Sequence, residues 1–186
     1  MYYILSDQDL GDTVSLASIG DGPVIEGVSW FRGVRFTTPI PQPLRFTLDP
    51  SVEGSLPYFF RWTIPLMHSD LIAGLREAGV DNIDVYDAVV RDDETGEEYT
   101  DFKAVNVIGK VAAADLSASK YSKDQATNLI SMQFDSLAID EKKAGPHLLF
   151  RLAECVSAIV VHEKVRNVIK SRDILVGFIE PKDFVS

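Results

Sequence analysis

The sequence predicts an α+β fold: a mainly antiparallel sheet, a few short helices and an irregular Gly/Pro-rich N-terminal lobe. Three observations carry this. Short apolar runs bounded by turn residues outnumber amphipathic helical stretches. The runs that can pair do so as hairpins across charged turns. Leu148-Leu149-Phe150, and Ile174-Leu175-Val176 with Phe178-Ile179, are apolar on both alternating faces, as suits central strands covered on both sides.

Tyr2 to Leu5 reads as a first strand ending at Ser6-Asp7. Residues 7–57 carry glycines and prolines at intervals too short for long helices or central strands, leaving short strands near Val34–Phe36 and Leu44–Leu48. Pro39, Pro41 and Pro43 alternate with Ile40, Gln42 and Leu44, which predicts an extended connector lying on the core, or a docking strip for another domain. Trp30 with Phe31, and Tyr58, Phe59, Phe60 and Trp62, are dense enough to be core; a ring left exposed would be an interface anchor.

A helix is expected over Asp70–Ala78, with Ser69 as N-cap and Gly79 as its stop. Ile83–Val90 and Tyr99–Val111 read as a hairpin across Asp92-Asp93-Glu94-Thr95-Gly96, with Gly96 free to take positive φ. Residues 112–120 are small and polar, a loop. Ser122 with Gln125 fits a capping box for a helix over Lys123–Ile130. Leu137–Asp140 is a predicted strand, returning across Glu141–Pro146 as Leu148–Ala153. Val160-Val161 leads into a helix over Glu163–Lys170, with Val165, Val168 and Ile169 on its buried stripe, and Ile174–Ile179 closes the sheet before Pro181. A small capping residue would suit the position before Glu163, where this chain has His162.

With 186 residues, 46% of them hydrophobic, the chain can bury a sizeable core in one domain, divided here into a lobe (1–62) and an α+β core (63–186). No run approaches the roughly 20 apolar residues of a membrane helix. The start lacks a basic n-region, and Cys155 stands alone, so a reducing cytoplasm is the expected home. The net charge is −10, and it is lopsided: residues 1–100 hold 17 acids and 6 bases, residues 101–186 hold 11 acids and 12 bases. Such a balance disfavours direct nucleic-acid binding and suits either solubility or a basic protein partner.

No cofactor and no metal site is expected. His162-Glu163 opens like a zinc-protease motif, but Arg166 occupies the second histidine's place, and a cation there repels a metal. GxSxG, P-loop and GxGxxG patterns are absent from the sequence. Cys155 sits among apolar neighbours and reads as core. Arg151 interrupts the apolar strand LLFRLAE, which predicts a structural ion pair with Glu154 or Asp140. Between Asp81 and Asp101 nine carboxylates face one base, Arg91. Of these, Asp92, Asp93, Glu94, Glu97, Glu98 and Asp101 are the candidate partner-binding residues, since crowded like charges are relieved by a basic partner.

The second half also carries ordered blocks: Tyr99; Asn106-Val107-Ile108-Gly109; Asp115 and Ser117; Leu137–Asp140; Leu149–Glu154; Val160–Val165; Gly177-Phe178. In this order and spacing, over about residues 80–180, they resemble a bacterial immunity-protein family of polymorphic toxin systems, immunity family eleven, formerly a domain of unknown function. The resemblance implies an α+β protein that is not an enzyme and that protects its producer by binding a cognate toxin, such as a basic nuclease. The alternative from another class is a small-molecule-binding domain or hydrolase with a pocket near His147 and Arg151; a third is an adaptor docking through Pro39–Pro43.

Overall fold

Every residue of Tyr2–Ser6 is buried, because both faces of this strand are covered. Tyr3 and Leu5 point into one core and Tyr2 and Ile4 into another. A computed structural model describes residues 1–7, 19–20, 22–50, 54–123 and 132–186. In chain order the elements are β1 (Tyr2–Ser6), β2 (Leu44–Thr47), β3 (Phe59–Phe60), β4 (Leu66–His68), α1 (Ser69–Glu77), β5 (Ile83–Arg91), β6 (Glu98–Tyr99), β7 (Phe102–Val107), β8 (Lys110–Val111), β9 (Lys120–Lys123), β10 (Met132–Ser136), α2 (Glu141–Ala144), β11 (Leu149–Leu152), β12 (Ile159–His162), α3 (Glu163–Ser171) and β13 (Gly177–Ile179). A 3-10 turn, Pro181–Asp183, follows.

The fold is α+β, as expected. One sheet runs β13-β1-β12-β11-β8 and a second β2-β5-β7-β4-β3, with β6 beside β5; β9 and β10 form a separate ribbon. All pairs are antiparallel except β11 with β8 and β2 with β5. The first core lies where the two sheets meet the helices: Leu71 and Leu75 of α1 and Val165 and Ile169 of α3 pack with Met67, Val105, Leu149 and Val161. The opposite face of the first sheet, through Phe150, Leu152 and Val160, packs on Phe134, Leu137 and Phe184. The opposite face of the second, through Phe46, Val90 and Ala104, is covered by Ile19 and Trp30. β1, β2 and β3, all drawn from residues 1–62, pair with strands from the rest of the chain.

Several elements differ from expectation. Val34–Phe36 forms no strand: Val34 and Arg35 are exposed, while Phe36 stacks on Tyr86. The first helix begins one residue early, and its N-cap is His68, whose Nδ1 accepts from the Asp70 amide at 3.2 Å. His162 caps α3 in the same way, with Nδ1 3.1 Å from the Lys164 amide. The return strand Tyr99–Val111 breaks into β6, β7 and β8, the last in the other sheet. Gly109, at φ +108°, allows that change of direction, which a Cβ would strain. The strand placed at Leu137–Asp140 lies instead at β10, where Met132 and Phe134 alternate inward with Gln133 and Asp135 outward. The expected pairing with Leu148–Ala153 is replaced, since β11 pairs with β12 and β8. Asp140 becomes the N-cap of α2. Ser122 is not a cap: it sits in β9 opposite Gln133. The rest of the helix expected over Lys123–Ile130 lies outside the described residues. The last strand is shorter than predicted; Ile174 and Val176 are buried before it, but Leu175 is 46% exposed.

Candidate functional site

The acidic turn is built by its own side chains. Asp92 Oδ1 accepts the amides of Glu94 (2.8 Å) and Thr95 (3.3 Å), closing a local turn that its short carboxylate favours. The Asp92 amide donates to the Glu97 carbonyl, and Gly96 takes φ +76° as expected. The Thr95 hydroxyl and the Glu94 amide hold the Asp92 carboxyl below its ordinary range. Tyr99 donates its hydroxyl to Glu97 Oε2 at 2.8 Å, and that bond to a carboxylate raises the phenol's pKa.

Folding brings in cations that the local sequence lacks. Arg35 pairs with Asp84, Lys103 with Asp87 (2.9 Å) and Arg45 with Glu98 (3.3 Å), while Arg91 pairs with Asp93 (2.9 Å). Among the described residues, Asp81, Asp92, Glu94, Glu97 and Asp101 have no ion-pair partner. The surplus negative charge therefore concentrates at the tip of the β5–β6 hairpin.

Beside that tip lies a cavity of about 290 Å³ lined by Asp92, Asp93, Glu94, Leu48, Leu56 and Tyr99. A second, of about 190 Å³, shares Leu56 and Tyr99 with it and is lined further by Tyr58, His68, Asp101 and Phe102. The His68 ring stands edge-on to Tyr58 (centroids 5.0 Å apart) and to Phe102 (5.5 Å), its orientation fixed by the cap it makes on α1. Of the six candidate carboxylates, Asp92, Asp93 and Glu94 share the first cavity and Asp101 lines the second. Glu97 reaches the pair through Tyr99, and Glu98 is turned to Arg45. The aromatic wall was not legible as a site, because its rings come from β4, β6, β7 and the turn before β3.

Arg151 does not form the expected ion pair. It is 1% exposed, and its NH1 donates to the Val156 carbonyl at 2.7 Å while the guanidinium lies over Phe31, 5.1 Å from the ring centre. Its Nε and NH2 have no hydrogen-bond partner among the described residues. β11 ends at Leu152 and the chain bends away, so Glu154 turns to the Ala114 amide (3.4 Å), leaving its own Oε2 unpartnered. Asp140 is engaged with Lys143 and the α2 amides. Burial lowers the Arg151 pKa to about 10. His147 is exposed, its ring edge-on to Phe150, and neither cavity described above is lined by His147 or Arg151.

Among the aromatics, Trp30, Phe59 and Phe60 are core, whereas Trp62, in the β3–β4 hairpin, is 46% exposed. In the proline strip Ile40 packs inward, and Gln42 Oε1 accepts the Asp87 amide at 2.6 Å, fastening the connector to β5. Cys155 is buried. No group of three or more His, Cys, Asp or Glu suited to a metal occurs among the described residues, and no described helix is long and apolar enough to cross a membrane.

Fold and site together define an α+β protein with a solvated acidic cleft backed by aromatic rings at the end of a hairpin. The chemistry of such a surface is attraction and stacking of cations. No family model matches the chain, and no curated protein matches it.

Proposed function

We propose that this chain is an immunity protein, which neutralises a cognate secreted bacterial toxin by covering its active site or substrate groove. It does so in the cytoplasm and makes and breaks no bonds of its own. The observation that supports it best is the unneutralised tip of the β5–β6 hairpin, where Asp92, Glu94 and Glu97 have no cationic partner among the described residues. The blocks from Tyr99 to Phe178 that resemble immunity family eleven add to it. A basic toxin, such as a nuclease whose groove binds phosphates, meets in this tip a row of carboxylates that stands in for the phosphate backbone. Long-range attraction of that kind speeds encounter and suppresses the wrong partners.

The test is protection. Co-expression with the toxin encoded by the neighbouring gene should let cells grow, and the variant with Asp92, Asp93, Glu97 and Glu98 all changed to lysine should leave them unprotected. Association of the purified pair should slow steeply as salt rises. Full protection by the lysine variant places the interface elsewhere; death in the presence of the unaltered protein ends the reading.

A further inference from the structure

The acidic tip is open and solvated, but the cavity behind it is of another kind. His68 packs edge-on against both Tyr58 and Phe102, and Tyr99 closes the side shared with the acidic cleft. Tyr99 is itself tied to the Glu97 carboxylate, and Asp101, exposed, stands at the rim. Aromatic faces carry negative potential, and a carboxylate at the mouth adds to it. At about 190 Å³ the space is smaller than the usual cavity for a drug-sized molecule, roughly 300 Å³ upward, and suits one long side chain.

We infer that this cavity is a socket for a single arginine side chain of a basic protein partner, its guanidinium stacked against Tyr99 and paired with Asp101. Arginine fits better than lysine because its plane stacks on rings and its fork matches a carboxylate, whereas an ammonium is compact and strongly hydrated. The next basic residues of the same partner segment would meet the cleft of Asp92, Asp93 and Glu94 across the Tyr99–Leu56 wall. Such a buried arginine anchor beside a charged rim is the arrangement in which a few residues dominate an interface. The partner's identity rests on the reading above; the socket does not, and it can be tested alone.

The full chain is titrated at low salt with N-acetyl-arginine amide, N-acetyl-lysine amide and N-acetyl-citrulline amide, following the ring resonances of Tyr58, Tyr99 and Phe102 by NMR. The arginine probe should give saturable shifts of those rings, the lysine probe weaker binding and the uncharged citrulline probe none. Tyr99→Ala should weaken arginine binding about two- to fivefold, the range of a half-exposed cation–π contact. Asp101→Asn, at an exposed position, should weaken it as well and serves where the alanine variant folds poorly. The inference is overturned if citrulline binds like arginine, if lysine binds as tightly as arginine, if the rings stay unmoved up to the probe's solubility limit, or if both variants bind arginine as before. Probe binding without toxin protection would fail the immunity reading alone; protection without probe binding would fail the socket alone.

Discussion

The side-chain amide of Asn82 donates to the carbonyl of Leu149 at 2.9 Å and also to that of Ile108. One residue in the turn before β5 thus ties β11 of the first sheet to the end of β7 in the second. Asn82→Ala leaves both carbonyls without that donor. It should cost about 1–3 kcal/mol, seen as a lower urea midpoint with an unchanged slope. An unshifted midpoint would mean that the backbone bonds alone hold this junction.

Among the described residues, Arg151 is a buried cation that donates one hydrogen bond, to Val156, and lies over the Phe31 ring. Replacing this charge with an apolar side chain of similar size removes the cost of burying it, so Arg151→Met should not weaken the fold at neutral pH. The sign of the pH effect follows from the lowered pKa. The folded value, about 10, lies below that of the unfolded chain, so the penalty is full at neutral pH and fades as pH rises above that value. The stability of the parent protein relative to Arg151→Met should therefore improve as pH passes 10. A difference constant with pH would contradict this.

Two helices begin on a histidine acceptor, at His68 and at His162. His162→Ala should lose about 1 kcal/mol, the usual cost of a deleted cap, whereas His162→Asn should recover most of it, since asparagine caps through its own oxygen. Thermal unfolding of the two variants separates capping from simple loss of the ring's packing on Tyr2.

Asp92 and Asp115 both sit in turns whose hydroxyl and amide donors lower their pKa; Asp115 accepts from the Ser117 hydroxyl at 2.6 Å. A lowered folded-state value means stability that is present above the unfolded carboxylate's pKa and is lost as pH falls through the folded one. Asp92→Ala and Asp115→Ala should each flatten the decline of stability below about pH 4. A variant whose acid profile matches the parent's would show that its turn carries no such linkage.

Arg45 partly neutralises the hairpin by pairing with Glu98. Arg45→Ala should raise the association rate with a basic toxin a few-fold at low salt, with little change at high salt. A slower association would place Arg45 inside the interface.

The sequence made the central elements legible because their pattern is strong. Leu149, Phe150, Val160 and Val161 are apolar on both sides of their strands, and each side meets a different core. β10 is obscured in the sequence because the apolar Leu137-Ala138-Ile139 run next to it is the stronger signal, although Met132 and Phe134 alternate more cleanly. The start of α1 was displaced by one residue because histidine is not among the usual capping residues, although an unprotonated imidazole nitrogen accepts a hydrogen bond as an aspartate oxygen does; α3 begins at Glu163 as expected. The acidic segment was legible as a cluster, yet its net charge was not. Arg35 and Arg45, far away in sequence, supply two of the counter-ions, and Lys103, just beyond its end, supplies a third. The Arg151 pairing failed for the complementary reason: Glu154 is close in sequence, but the bend after β11 gives its carboxylate to the Ala114 amide, beyond the end of β8.

β1 lies between β12 and β13, so the first strand made is sandwiched by the last two. Residues 2–6 gain their first strand neighbour only when residues 159–162 have been made and their second only with residues 177–179, so the five-stranded sheet cannot be complete before that point in synthesis. Shortened chains that stop before residue 159 leave that strand without either neighbour, which makes them ready clients for chaperones and proteases.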